Sequence, residues 1–160
     1  MAPEPAMIRC ADFAHDLEGI RALIHEYAAW LGFDLAYQGF DDEMARLPEM
    51  YGAPNGMFFV AIADAVLAGC VGVRWLTPDT GEMKRLYVRP AFRGRDCGAD
   101  LVHVALAGAR GHGMDRVVLD IAPKTAAAIR LYEGAGFVEI PPYYDCPLPG
   151  TRYFARDFAV

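Results

Sequence analysis

The sequence predicts one mixed α/β domain, a sheet of about seven strands with about four helices on its faces. Three observations carry this. Short apolar or alternating runs with the period of strands are interleaved with runs whose apolar residues recur every three to four positions. The 160 residues, 54% hydrophobic and 22% charged, suffice for one substantial core. No repeat, low-complexity segment or linker divides the chain, so 1–160 reads as a single domain.

"AMIRCA" opens as a short strand. From Asp12, whose carboxylate suits a helix cap, Phe13, Leu17, Ile20, Ile24, Tyr27 and Leu31 fall at helical spacing, and Gly32 ends the helix. "GFDLAYQGFDDEMARLP" reads as a loop and a short helix, capped by Asp41 or Asp42 and stopped near Pro48. "GMFFVAIA" and "AVLAGCVGVRWL", joined across Asp64 and Ala65, form a hairpin. "GEMKRLYV" is a further strand, ended by Arg89 and Pro90. A long helix follows over 98–110 and ends at "GHG". "RVVLDIA" is apolar enough for a strand buried on both faces. "KTAAAIRLYEGAG" is a helix with a glycine C-cap, followed by strand "FVEI". Pro141, Pro142, Pro147 and Pro149 punctuate a loop before the last strand, "TRYFARDF".

A net charge of −6 argues against a nucleic-acid partner or an anionic membrane. Locally the balance reverses. Lys84, Arg85, Arg89, Arg93 and Arg95 fall within 84–95 without one acid, a positive patch suited to a small anion. The four cysteines, Cys10, Cys70, Cys97 and Cys146, are widely separated and no histidine stands at ligand spacing, so neither a disulfide framework nor a metal site is expected. The N-terminus lacks the pattern of a signal peptide and no run is long enough to span a membrane, which makes a soluble cytoplasmic protein the expectation.

"RPAFRGRDCGADL" carries the first chemical signal. A strand running into a glycine-bearing loop and then a helix leaves several backbone N–H groups directed at one spot, where the helix dipole adds to them. Gly94 and Gly98 allow the turn and a close approach, while Arg93 and Arg95 add donors for phosphate. Neither GxxxxGK[ST] nor GxGxxG is present, which disfavours a P-loop NTPase or a Rossmann dehydrogenase.

"EMKRLYVRPAFRGRDCGADLV", followed about thirty residues later by "AIRLYEGAGFVEI", resembles the GNAT superfamily of acetyl-CoA-dependent N-acetyltransferases. That family carries R/Q-x-x-G-x-G/A at the start of one helix and A-x-x-L-Y-x-x-x-G-F on a later one. Arg93, Gly98, Ala128, Leu131, Tyr132, Gly136 and Phe137 fall in place. "EYAAWLGFDLAYQGFDDE" and "PPYYDCPLPG" look like a bacterial subgroup of it.

The resemblance implies a mostly antiparallel sheet whose two parallel strands, "LYV" and "VLDIA", splay into an acetyl-CoA cleft. It implies that the backbone of Leu86, Tyr87 and Val88 holds the pantetheine arm. Backbone N–H groups of Gly94, Arg95, Asp96, Cys97, Gly98 and Ala99, with Arg93, would hold the diphosphate, and Thr125, Ala128 and Tyr132 would line the far wall.

Three positions depart from or qualify the pattern. Asp96 replaces the middle glycine. A carboxylate about 5 Å from a phosphate would cost about 3 kcal/mol at an effective dielectric near 20. Asp96 either caps the following helix or points away to pair with Arg93 or Arg95, and the second is favoured because those arginines otherwise lack a counter-charge. Thr125 stands where the family often has Asn, and Cys97 stands at an aliphatic position. A thiol at a helix start can serve as an acyl carrier, but a small buried hydrophobe is the expected role.

Direct transfer to an amine needs that amine neutral. A lysine-like amine with pKa near 10.4 is about one part in 2,500 neutral at pH 7, a cost of roughly 4.6 kcal/mol that a general base worth about 10²–10⁴-fold offsets in part. By resemblance Glu82 is the candidate base, a role set against a structural pairing with Lys84 or Arg85; Tyr143, Tyr144 or a water chain could substitute. The Val88 N–H would polarise the thioester carbonyl, and Tyr132 would protonate or hydrogen-bond the leaving thiolate. Tyr27, Trp30, Phe33, Tyr37, Gln38 and Phe40 are candidates for one wall of the acceptor site, with Tyr143 and Tyr144 closing the other.

The function expected is transfer of acetyl from acetyl-CoA to a primary amine of a small molecule or peptide. The main alternative is an inactive acetyl-CoA- or CoA-binding module acting as a sensor or partner protein; a longer acyl-CoA donor is a second. Dimers are common among family members, so a homodimer through the last strands is compatible with the resemblance.

Overall fold

The chain begins as a strand, β1 (Met7–Cys10), and a helix, α1 (Phe13–Leu31), in the computed structural model, which describes residues 3–32 and 34–158. Asp12 caps α1 by accepting from the Ala14 N–H at 3.1 Å, and Gly32 ends it in the left-handed region at φ 76°. Asp16 in the first turn holds Arg9 at 2.6 Å and ties β1 to the helix.

The short helical segment is two helices rather than one. α2 (Phe40–Ala45) starts after Gly39, which holds the cap position at φ 69°, so Asp41 and Asp42 are first-turn residues and not caps. There they face the positive end of the helix dipole. Pro48 does not stop this helix. It sits in the first turn of α3 (Leu47–Tyr51), where a missing N–H costs no intrahelical bond.

β2 (Gly56–Ala63) and β3 (Val66–Trp75) form the expected hairpin across Asp64 and Ala65, both at positive φ. Then come β4 (Thr80–Val88), α4 (Cys97–Gly111), β5 (Arg116–Ile121), α5 (Ala126–Gly134), β6 (Val138–Ile140) and β7 (Arg152–Asp157). The seven strands make one sheet in the order β1-β2-β3-β4-β5-β7-β6, with only β4 and β5 parallel. The fold is therefore the mixed, mostly antiparallel α/β sheet expected, with five helices instead of about four.

Two apolar layers cover the sheet. On one face Leu101, Val102, Ala105 and Ala109 of α4 pack on Val71, Val73, Met83, Val117 and Leu119. On the other, Ile20, Leu23 and Ile24 of α1 pack on Phe58, Val60 and Cys70. Alternation therefore turns Glu82, Lys84 and Val118 away from α4, onto the face that carries α1 to α3.

One irregularity sets up everything that follows. Cys70 pairs with Tyr87 but Gly72 pairs with Lys84, so Arg85 and Leu86 together oppose Val71. This β-bulge, with Arg85 at φ 62°, bends β4. Its side chain is buried against α2, giving Glu43 two bonds of 2.7 and 3.1 Å. β4 parts from β5 just ahead of the bulge. The parallel pairing covers only Thr80↔Arg116, Gly81↔Val117 and Glu82↔Val118, and from there the strands form an open fork.

Candidate active site

Into this fork β4 presents its backbone. The Arg89 N–H donates to the Ala68 carbonyl at 2.8 Å, so by antiparallel alternation Val88 directs its own N–H and C=O away from β3, toward the fork. The Val88 carbonyl there accepts Arg93 Nε at 3.0 Å. Leu86, Tyr87 and Val88 line a cleft of about 460 Å³, closed by Ile121, Ala122, Thr125, Ala128, Leu131 and Tyr132 from the β5–α5 side.

The loop after β4 supplies the far end. Gly94, Asp96, Cys97, Gly98 and Ala99 line the same cleft. Over 94–99 no backbone N–H donates to an acceptor among the described residues; the first that does is Asp100, to the Asp96 carbonyl at 2.9 Å. Six successive donors at a helix start, with Gly94 at φ 82°, make a cradle for an anion. A side chain at Gly98 would meet Leu131 Cδ1 at 3.1 Å, which is how close α5 comes to the cradle.

The flanking side chains sort differently from the expectation. Arg93 is exposed and lies near the rings of Trp30 and Tyr87, at 5.6 and 5.9 Å. Arg95 does not line the cleft: it lies over Phe92 and reaches Asp64 at 3.5 Å. Asp96 takes the cap position of α4 at φ 57° with no side-chain capping bond, and it pairs with neither arginine. The favoured pairing is thus overturned, because Arg93 is held on the Val88 carbonyl and Arg95 by Asp64. Cys97 is buried among Phe92, Leu101 and Val102, and burial pushes its thiol up, against a thiolate carrier. The Thr125 hydroxyl donates to the Ala122 carbonyl at 2.7 Å.

Likewise the positive patch read over 84–95 is no patch. The alternation of β4, its bulge and the following turn send Lys84 toward Glu82, Arg85 to Glu43 and Arg89 to Glu26. Only Arg93 remains at the cleft.

Tyr132 lies in the cleft with its ring edge-on to Phe137. Its hydroxyl has no hydrogen-bond partner among the described residues, and burial pushes it well above the usual tyrosine range. It is suited to donate a hydrogen bond rather than to ionise.

A second cavity, of about 590 Å³, opens on the sheet face that carries α1 to α3. Its lining includes Gln38, Arg74, Glu82, Lys84, Tyr143 and Tyr144. The loop that brings Tyr143 and Tyr144 is held by Tyr153 of β7, whose ring stands 5.4 and 5.6 Å from theirs. Glu82 is locked in this wall. Arg74 Nη2 and Nε approach its Oε1 at 2.9 and 3.0 Å, and the Tyr143 hydroxyl donates to Oε2 at 2.6 Å. Burial pushes the Glu82 carboxyl up, but Lys84, Tyr143 and Arg74 together hold it below its ordinary value. Of the two structural partners weighed for it, Lys84 stands at 3.9 Å and Arg85 is engaged elsewhere, while Arg74 dominates.

Hydrogen bonds through Asp120 tie the two cavities together. Asp120 lines the cofactor-sized cleft, and its Oδ2 accepts from the Tyr144 hydroxyl and from Gln38 Nε2 at 3.5 Å, both of the second cavity. Sequence reasoning missed Asp120, although a carboxylate inside "RVVLDIA" was the signal: a strand buried on both faces has no place for it. Of the candidates for an acceptor wall, Gln38, Tyr143 and Tyr144 line the second cavity. Tyr27 and Trp30 line the cleft instead, and Tyr27 is pushed up to about 12 by burial. Phe40 packs against His25 and beneath Arg85 as part of the core. Phe33 lies outside the described residues, and of Tyr37 only the backbone is described.

The model of the family described as Acetyltransferase (GNAT) family matches residues 20–137. The chain belongs to the GNAT acetyltransferase family. An uncharacterized N-acetyltransferase of Schizosaccharomyces pombe is 37% identical over 99% of each chain. Among solved structures, an acetyltransferase of Streptococcus agalactiae superposes with TM-score 0.78 at 22% identity, over 97% of this chain and 99% of that one. The PaiA N-acetyltransferase of Thermoplasma acidophilum, solved in complex with coenzyme A, gives 0.72 at 18% identity over 97% and 100%. The protein is thus an acyltransferase of the GNAT N-acetyltransferase class, and no helix among the described residues is long and apolar enough to cross a membrane.

Proposed function

We propose that this GNAT protein moves an acetyl group from acetyl-CoA to a primary amine of a small molecule or peptide, by direct transfer with both substrates bound. The observation that carries the proposal is the run of N–H groups over 94–99 without a partner among the described residues, on a loop whose Gly94, Asp96, Cys97, Gly98 and Ala99 line the same cleft as Val88 and Tyr132. Acetyl-CoA supplies an acetyl group activated as a thioester. The cradle and Arg93 bind its diphosphate, and the backbone of Leu86 and Val88 faces the arm that follows.

The remaining chemistry belongs to side chains. The amine nitrogen bonds to the acetyl carbon as the carbon–sulfur bond breaks, so one N–H proton must leave and the thiolate must gain one. Asp120 receives the first, since it is the carboxylate that lines the cleft while bonded to Tyr144 of the second cavity. Glu82 serves in place of a base as the anchor of Arg74 and Tyr143, its charge already engaged. Tyr132 hydrogen-bonds the sulfur as it leaves and the thiolate takes its proton from water, while the Val88 N–H is the donor available to the carbonyl oxygen.

The test is thiol release from acetyl-CoA across a panel of amines. The proposal expects turnover with at least one amine and a loss of about 10²–10⁴-fold in kcat for Asp120→Asn. Acetyl-CoA binding with no turnover on any amine or peptide would favour the inactive module.

A further inference from the structure

Most charges around the second cavity cancel within the protein. Arg74 is matched by Glu82 at 2.9 Å and Arg116 by Asp157 at 2.7 Å. Arg85, next along β4, is consumed by Glu43. Two opposite charges are left over, Lys84 in this cavity and Asp120 in the neighbouring cleft. The Lys84 side chain is only 7% exposed, yet its ammonium, with three protons to donate, makes no hydrogen bond among the described residues; its ion-pair partner, Glu82 Oε1, stands at 3.9 Å and is already taken by Arg74. Burial lowers its affinity for a proton more than Glu82 raises it. Asp120 has no cationic partner among the described residues; its bonds come from the neutral Tyr144 and Gln38.

The register sets these two groups opposite one another. Glu82↔Val118 is the last parallel pair, and Lys84 and Asp120 lie two residues beyond it on their strands, on the same sheet face and on either side of the opening fork. A buried ammonium without an acceptor is costly, and so is a carboxylate without a cation. The ligand that satisfies both carries a cation and an anion of its own.

We propose that the acceptor is an amino-acid-like zwitterion, its amine on Asp120 and its carboxylate on Lys84. The inference rests on the transferase reading only in calling this ligand the acceptor. Asp120 would hold the ammonium as it arrives, the proton that leaves to make the amine neutral passing to water, while Lys84 would fix the other end and turn the nitrogen toward the fork. Simple amines and amides would leave Lys84 unmatched, and this sets the specificity.

Calorimetry tests this on the wild-type protein, with and without CoA. The probes are glycine, L-alanine, β-alanine, γ-aminobutyrate and L-glutamate, beside glycinamide, L-alaninamide and ethylamine. At least one amino acid is expected to bind about tenfold or more tightly than its amide or the plain amine, as loss of a charge-assisted bond implies. Lys84→Met should remove that preference and Lys84→Arg should restore part of it. Equal or tighter binding of the amides and ethylamine, or no binding of any amino acid, would overturn the proposal. Failure of CoA to bind sinks the transferase reading instead, and the preference for a zwitterion stays readable without it.

Discussion

The two halves of the site are built from different material. The cleft is made mainly of backbone: N–H groups over 94–99, the fork-facing groups of Val88, and small residues such as Gly98 and Ala128 that let them approach. The second cavity is made of side chains from five places, Gln38 before α2, Arg74 on β3, Glu82 and Lys84 on β4, Arg116 on β5, and Tyr143 and Tyr144 after β6. A backbone site needs a local run of residues able to take one conformation, whereas a side-chain site needs distant elements brought into register. The first is suited to a ligand shared across a family, the second to one that differs between members.

The largest effect is expected where the acceptor side is fastened to β4. Glu43→Ala leaves Arg85 as an unpaired buried charge, a loss of about 3–5 kcal/mol in urea unfolding. A loss under 1 kcal/mol would mean that α2 is not held through the bulge. Next, Arg93→Ala should weaken acetyl-CoA binding about tenfold, as removal of a charge-assisted phosphate contact implies. Arg95→Ala should change it less than threefold, because Arg95 leans on Phe92 and Asp64. Equal losses in the two variants would blur the line between cleft and surround.

Glu82 gives a pH signature. Its carboxyl is held below its ordinary value, so its ionised form stabilises the fold above the unfolded pKa, about 4.3, and that stabilisation is lost as pH falls through the lower folded value. Wild type should be more stable than Glu82→Gln at neutral pH, with the gap closing below about pH 4. A gap that widens on acidification would contradict the assignment. The smallest effect is on the cradle itself. Asp96→Gly relieves a left-handed backbone at φ 57° and removes a carboxylate beside the diphosphate, so acetyl-CoA should bind a few-fold more tightly. A tenfold loss would show that the Asp96 side chain helps to hold the ligand.

This division also explains what the sequence made legible. The succession of strands along the chain, α1 with its Asp12 cap, and the glycine loop before α4 follow from local periodicity and turn chemistry, and all were visible in short runs of residues. The bulge at Arg85 was not visible, since it depends on how β4 meets β3 and α2. With it went the fate of the basic run over 84–95: five like charges adjacent in sequence were sent in five directions by alternation and the bulge. Tyr143 and Tyr144, which line the second cavity, could be singled out because two adjacent aromatics in a proline-rich loop stand out. Asp120 was missed for the opposite reason, being one acid in an otherwise apolar strand, and only the fork gives it a task.

Titration of the protein with acetyl-CoA and with CoA tests the central claim, that the fork and its backbone cradle form the donor site. The account predicts dissociation constants between about 1 μM and 1 mM, the usual range for substrates, with Arg93→Ala weaker and inorganic pyrophosphate competing. No binding by the wild-type protein at low salt, or binding that pyrophosphate and Arg93→Ala both leave untouched, would contradict it.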